Sequence, residues 1–567
     1  MNRRSTLLAL LLMAACDESA GRDAALDGAL DGSTDSPGSE TNGADGRGDV
    51  GDAGLHDDGG GACQGVTCTG NGTCVVVQAQ PTCACASGYY RVGLACQPDP
   101  CSAGGSCLYV DSAAGNDGRA GSRTAPWKTL ARVKQVMSGL APGNFVLLHR
   151  GGDWTQESLN ITGVKGTADH PVTFGAYGPL TLARPLLSKI NLTSSSHVTI
   201  RDVEVTLPTS GPCISVSYTD HPIVQDTVVH HCASNGILFG GATSYGVMVD
   251  NLAYEIKAND ALVIHSPMEI TATSKVGDHH WIVDNRVPGP AAEQAVDVAT
   301  GNDTFEGAKD IKIVGNRLAR GKAGCIMLGH GTSVAWVVGN LLGNCPTAET
   351  AAPLSIGGQH GANSGTRFQV RGNLVFWNLM ADRIISETPQ VMEAVVEQNT
   401  FVTTIGKRVV LSAQYPAGKL SLQRNILWTT GSQGHVSFSA DAKSSISAMD
   451  HNWYIPGTNP ACSIGGTSLT QWQASSGFDA SSACASVPGL TLPTQTEVLD
   501  FEGWTGASFL ARFVPDPTWP GCAQQIGAMD CSTGKLHAEI KPIAGYSDNG
   551  GLGWRGPLVV QQRYPVP

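Results

Sequence analysis

From about residue 198 one pattern recurs along the chain. A short apolar strand closes on Asn or Asp, and a polar turn follows. "VTIRD" ends at Asp202, "PIVQD" at Asp226, "VMVDN" at Asn251 and "WIVDN" at Asn285. "IKIVGN" ends at Asn316, "AWVVGN" at Asn340, "FQVRGN" at Asn373, "AVVEQN" at Asn399, "LSLQRN" at Asn425 and "AMDHN" at Asn452. The intervals are 24, 25, 34, 31, 24, 33, 26, 26 and 27 residues. A unit of that length cannot enclose a core alone, so the units must stack as a solenoid. A propeller blade needs several strands in about 40 residues, more than these units hold. The polar residue at each strand end is expected at an inner corner. There Asn tolerates a left-handed turn, and stacked amides bond coil to coil.

A second strand follows each corner: "NGILFGG", "DALVIHS", "QAVDVATG", "GCIMLGHG", "APLSIGGQH" and "DRIISET". Inward and outward residues alternate along a strand. Ile237/Phe239, Leu262/Ile264, Val296/Val298, Ile326/Leu328 and Leu354/Ile356 therefore read as one core stack. The same phase turns Asp297 outward. His265, Ala299, Gly329 and Gly357 form another outward column, with His330, Gln359 and His360 at the strand ends. Glu255, Lys257, Glu293, Lys322 and Glu387 flank the resulting groove. Small and polar residues along a groove suit an extended polysaccharide, because the sugar chain can lie close.

The N-terminus is organised differently. Arg3 and Arg4 precede an apolar run, Leu7 to Ala15, that ends at Cys16. This reads as an export signal over residues 1–16. Residues 17–62 carry 12 acids and two arginines, rich in Asp, Gly and Ser, and read as a disordered acidic linker. They contribute −10 to the net charge of −12; Arg3 and Arg4 add +2, which leaves −4 for the rest. The folded part has no basic patch, which argues against nucleic-acid binding. No phosphate-binding loop or dinucleotide fingerprint is present, so no nucleotide is expected. Setting Cys16 aside, 16 of the 17 cysteines remain, an even number suited to an oxidising compartment. Cys213 and Cys232, Cys325 and Cys345, and Cys462 and Cys484 lie 19, 20 and 22 residues apart. That is near one coil, and stacked coils bring Cα atoms within disulfide reach. Cys101 and Cys107 are expected to close a short hinge loop, and Cys522 and Cys531 to pin the C-terminal end.

Four resemblances sharpen this picture. "LLMAAC" resembles a bacterial lipobox, which implies lipidation at Cys16 and an outer-membrane or cell-surface location. Cys63, Cys68, Cys74, Cys83, Cys85 and Cys96, followed through "CACASGYY", resemble an EGF-like module. Spacing alone leaves 15 pairings open. The resemblance implies Cys63–Cys74, Cys68–Cys83 and Cys85–Cys96, and "GGGAC" lacks the acids of its calcium-binding members. The stretch from "LYVDSAAGNDG" to "LLHRGGDW", with a helix expected over about 126–138 and a strand over 145–148, resembles the N-terminal cap of right-handed parallel β-helix proteins. "AQQIGAMD", residues 523–530, resembles their last strand. The expected fold class is thus all-β. A cysteine module and hinge span 63–107, a right-handed parallel β-helix of about ten coils spans 108–531, and a C-terminal extension spans 532–567.

Finally, "EQAVDVATGN" through "VVGNLLGN" resembles the middle coils of β-helix polysaccharide lyases of the chondroitinase B and alginate lyase type. The resemblance implies calcium held by Glu293 and Asp297, and a catalytic His-Gly at His330-Gly331. The family's Lys falls near Ala299 or Thr300, and its Arg falls on Gly329, so both are unmatched. His330, His265, Lys322 or Lys257 would have to carry the proton chemistry. The expected partners are an extracellular polysaccharide or a surface protein, with the membrane reached through the lipid. Two other functions fit the same residues: non-catalytic adhesion, and a glycosidase pairing Asp297 with Glu293 or Glu387. The bland alternative for Asp297 is a solvated strand residue. The doublets His230-His231 and His279-His280 read as surface histidines.

Overall fold

The structure is a computed structural model. It describes residues 63–541 apart from 64–65, 78–79, 87–88, 93, 99–100, 102–105, 267–276, 301–307, 330–331, 333, 346–351, 357–366, 377–384, 388–392, 404–419, 432–433, 437–443, 445 and 459–460. Expectations about Cys16, the 17–62 linker, His330, Gln359 and His360 lie outside the described residues, as does the side chain of Glu387.

Parallel strands one coil apart build the long axis. One sheet runs through 13 strands, from Cys107–Val110 to Ile446–Asp450, each paired with the strand one coil away. Each coil holds three strands where the sequence reading has two. In one coil these are Val198–Arg201, Glu204–Thr206 and Ile214–Ser217; in the next, Ile223–Gln225, Val228–His230 and Ile237–Gly240. The extra strand is only three residues long and begins two residues after the corner, too short for alternation to reveal. Its register is nonetheless continuous: Glu204 pairs with Val228, and Val228 with Leu252.

The expected core stack is the observed one. Ile214, Ile237, Leu262, Val296, Ile326 and Leu354 stand in one column, and Val216, Phe239, Ile264, Val298, Leu328 and Ile356 in the next. All are buried in a single cluster. At roughly 1.5–3 kcal/mol per large apolar side chain removed from water, this column dominates the cohesion between coils.

The corner differs from expectation by one residue. The left-handed position is the residue before Asn: Asp250, Asp284, Gly315, Gly339, Gly372, Gln398, Arg424 and His451 all have positive φ. Asp202 and Asp226 belong to that column, not to the Asn column as the repeat reading placed them. The Asn side chains turn inward and are wholly buried from Asn251 to Asn452. Asn316 shows the unit. Its Nδ2 donates to Asn340 Oδ1 at 3.0 Å and to the Ile282 carbonyl at 2.8 Å, and its Oδ1 accepts from the Asn285 amide at 2.9 Å. The same bonds recur down to Asn452, whose Nδ2 ends the ladder on Asp479 Oδ1 at 3.2 Å. Each amide thus satisfies backbone groups that the corner removes from the strand ladders.

The N-terminal helix starts later than expected, at Leu130, because Thr129 caps it and Trp127 still pairs with Val110. The stretch 523–530 is not a closing strand. It lies along the flank, where the Ala528 amide donates to Thr400 Oγ1 at 2.9 Å. It belongs to a C-terminal segment that covers the short strands of several coils. Trp504, fully buried, packs edge-on against Phe376 with ring centroids 4.7 Å apart. A Cβ on Gly343 would stand 2.5 Å from the Trp504 ring, so glycine is what admits that side chain.

The cysteine module sits against the first coils. Arg91 forms ion pairs with Asp226 and, at 3.7 Å, with Asp202, while its carbonyl accepts from Arg201 Nη1 at 2.9 Å. Burial opposes ionisation of Asp226, but Arg91 and Arg184 hold its carboxyl below the ordinary range. The eight disulfides are Cys63–Cys74, Cys68–Cys83, Cys85–Cys96, Cys101–Cys107, Cys213–Cys232, Cys325–Cys345, Cys462–Cys484 and Cys522–Cys531. Among the described residues no helix is long and apolar enough to cross a membrane.

Candidate functional site: an acidic cluster shared by two adjacent coils

The strand Gln294–Thr300 keeps Val296 and Val298 in the core, which leaves Asp297 on the outer face. Register sets its neighbours there. Val263 lies one coil before Asp297; Met327, Ser355 and Ser386 follow on successive coils. Asp297 is half-buried rather than freely solvated. Burial comes first among the causes that raise its pKa well above the ordinary carboxylate value, followed by the charges of Asp260 and Glu293.

Asp260 is the residue the sequence reading missed. It precedes the strand Leu262–Ser266 by two residues and is only 4% exposed. Its Oδ1 accepts from the backbone amide of Gln294, one coil on, at 2.6 Å. Burial, against that hydrogen bond and reinforced by Glu293, raises its pKa to about 7. An acid in phase with Gln294 of the aligned coil was the available signal. Glu293 is exposed; its amide donates to the Asn259 carbonyl at 3.3 Å. Three carboxylates from two adjacent coils therefore share one patch, and burial pushes two of them toward the protonated form. Such a set can donate a proton from one acid beside an exposed partner carboxylate.

The other expected site residues distribute unevenly. His265 is in register with Ala299 and lies on the outer face with Val263, one coil from Asp297 and two residues along. Lys257 and Lys322 are exposed but precede their coils' third strands, which begin at Leu262 and Gly324, and adjoin Ile256 and Gly321, which bridge in turn to Ala291. Lys322 precedes Met327, the residue level with Asp297, by five positions, as much as ~16 Å of strand. The structure thus separates both lysines from Asp297. Glu255 does not wall the groove; its Oε2 lies 2.6 Å from His231 Nε2 at a corner. The backbone of Glu387 pairs in register with Ile356. His280 is no surface histidine: it is 1% exposed, its Nδ1 accepts from the Gly246 amide, and burial lowers its pKa to about 4.

Two histidine groups lie away from the acids. His230 Nε2 is 3.0 Å from Glu204 Oε1, and its ring stacks on Tyr254 at 4.8 Å. At another corner His197, His221, Tyr245 and His279 stack in succession, with centroids 4.4, 4.6 and 4.6 Å apart. Among the described residues only His197, Asp220 and His221 bring three ligating atoms within 4.8 Å of one another. Asp260, Glu293 and Asp297 do not converge so closely, so they match in charge but not in closeness the oxygen cage that calcium requires.

No family model matches the chain. A lacto-N-biosidase of Bifidobacterium longum subsp. longum is 30% identical over 183 residues, a match covering 25% of this chain and 11% of the relative. The chain thus spans about a tenth of that relative's length. Among solved structures, the GH136 lacto-N-biosidase from Eubacterium ramulus superposes with a TM-score of 0.41 at 13% identity, over 67% of this chain and 68% of its own. The complex of XylC with xylose gives 0.48 at 10% identity, over 69% and 88%. The PL6 family alginate lyase AlyGC gives 0.39 at 11% identity, over 70% and 56%. These likenesses are distant, and the parallel β-helix assignment stands on the chain's own strand register.

Proposed function

We propose that this protein hydrolyses a glycosidic bond in an extracellular glycan, using the carboxylates of Asp297 and Glu293. The observation that carries the reading is the raised pKa of Asp297 on the outer face of the third strand, beside an exposed acid. In this reading Asp297 donates its proton to the leaving oxygen, and Glu293 acts as nucleophile or base on the opposite side of the sugar ring. Asp260 fixes the local backbone through Gln294 and, by its charge, helps to keep Asp297 protonated. In the same reading His265, on the same face, binds a sugar hydroxyl. The relative that bears a glycosidase name supports this choice of chemistry over β-elimination. So do Ala299 and Thr300, which stand where the lyase resemblance would put the catalytic lysine.

Calcium at Glu293 and Asp297 would ionise both acids and remove the proton donor, so it competes with this mechanism. Eight disulfides suit a compartment outside the cytosol. Lipidation at Cys16, with the EGF-like module as a spacer beneath the β-helix, is part of the same proposal.

The test is incubation with uronate polysaccharides and with oligosaccharides bearing lacto-N-biose, with calcium and with chelator. New reducing ends without ultraviolet absorbance, insensitive to chelator and lost in Asp297→Asn, are the expected result. Calcium-dependent unsaturated products would establish a lyase instead. Binding without cleavage, unchanged in Asp297→Asn, would make the protein an adhesin.

A further inference from the structure

We infer that His197, Asp220 and His221 form a binding site for a transition-metal dication of the zinc type, separate from the acidic cluster. Their ligating atoms lie within 4.8 Å of one another, and all three belong to one corner of two adjacent coils.

The backbone builds this corner before any ion arrives. Asp220 bridges Ser196 on one side and Ser244 on the other, so its Cα is fixed between the neighbouring coils. The His197 amide donates to the Asp220 carbonyl at 2.8 Å, and the His221 amide to the Ser244 carbonyl at 2.9 Å. Both histidines hold left-handed φ values, 48° and 53°, in which non-glycine residues are uncommon. Their rings stack 4.4 Å apart, and Tyr245 stacks beneath His221 at 4.6 Å with planes 6° apart. Ring rotation is therefore restricted, and the nitrogens of two coils stay side by side.

His221 Nδ1 is shielded from water and makes no hydrogen bond. Asp220 Oδ2 lies 2.9 Å away, an ion-pair contact that lacks hydrogen-bond alignment. Two ligands of a tetrahedral ion, each about 2.05 Å from it, are separated by about 3.3 Å. The Nδ1–Oδ2 pair is near that spacing and needs a few tenths of an ångström of adjustment. Two imidazoles and one carboxylate select zinc, nickel or copper over calcium or magnesium. Asp220 is exposed, which leaves a path for the ion and a fourth position for water.

The test is calorimetric titration of the untagged full chain, freed of metal by chelator, with zinc chloride. Visible absorption after adding cobalt reports the geometry. One tight equivalent and a tetrahedral cobalt spectrum are expected, with no comparable heat from calcium or magnesium. His221→Tyr removes the nitrogen but keeps the stack, since Tyr245 occupies the matching place one coil on. Asp220→Asn changes an exposed side chain without disturbing the corner backbone. Both should lose the tight equivalent while His231→Gln, in the other histidine group, retains it. An absent equivalent in the wild type, or one that persists in Asp220→Asn and His221→Tyr, would overturn the site.

Discussion

The backbone amide of Gln294 donates to Asp260 Oδ1 at 2.6 Å, which ties an almost fully buried carboxyl to the coil that carries Glu293 and Asp297. The bond pulls the Asp260 pKa down, yet burial and Glu293 still leave it at about 7. The consequence for stability has a definite sign. A carboxyl whose folded pKa is raised favours folding below its unfolded value near 4, and that contribution is lost as pH rises through about 7. The melting temperature should therefore fall continuously between about pH 4 and about pH 7. Asp260→Asn should flatten that fall. A melting temperature independent of pH in both proteins would show that Asp260 is ionised throughout.

The same coupling predicts two different activity profiles. Asp297→Asn should abolish turnover with little loss of glycan binding. Asp260→Asn removes the largest charge acting on Asp297, so the alkaline limb of the pH profile should move to lower pH while some turnover survives. Initial rates across pH on the cleaved glycan distinguish the two. Equal loss of binding in both variants would mean that the cluster only holds the glycan.

The asparagine ladder makes a prediction about stability. Asn340 Nδ2 donates to Asn373 Oδ1 and to the Ile313 carbonyl, each at 2.9 Å. Asn340→Ala strands buried backbone groups on both sides, at ~1–3 kcal/mol for each group left unpaired. Asn340→Asp should be worse, because an ionised carboxylate donates nothing and is buried without a cation. Urea denaturation at neutral pH ranks the two.

Gly343 and Trp504 test the C-terminal cover. Gly343→Ala places a methyl 2.5 Å from the Trp504 ring and 2.7 Å from Phe376, so the segment must shift or detach. Trp504→Ala leaves a cavity worth ~3–5 kcal/mol. Limited proteolysis should then release the segment around residues 490–530 before the coils are cut. Undiminished protection in both variants would show that the cover contributes little.

Arg91 tests the cysteine module. Arg91→Ala leaves Asp202 and Asp226 to Arg150 and Arg184 alone. Removing one partner from a buried ion cluster costs ~3–5 kcal/mol. The module should become susceptible to protease cleavage between residues 97 and 107, while Arg91→Lys restores part of the protection.

Much of this architecture is written locally. The recurring strand that closes on Asn sets the coil length, and alternation along "QAVDVATG" already assigns Val296 and Val298 to the core and Asp297 to the surface. The near-coil spacing of Cys325 and Cys345 likewise follows from period alone, and the structure bonds that pair. These features are legible because side-chain direction in a strand depends only on parity.

What the tertiary structure decided depends on neighbours that are distant in sequence. The left-handed corner residue precedes Asn because the amide must turn inward to meet the next coil's amide, which no single repeat discloses. Asp260 joins Asp297 only through stacking of coils 34 residues apart in register, and burial there changes what both acids can do. The ladder of His197, His221, Tyr245 and His279 was present as a residue five places before each corner, at 202, 226, 250 and 284. Its meaning comes from stacking, which turns isolated imidazoles into a column with a shared edge.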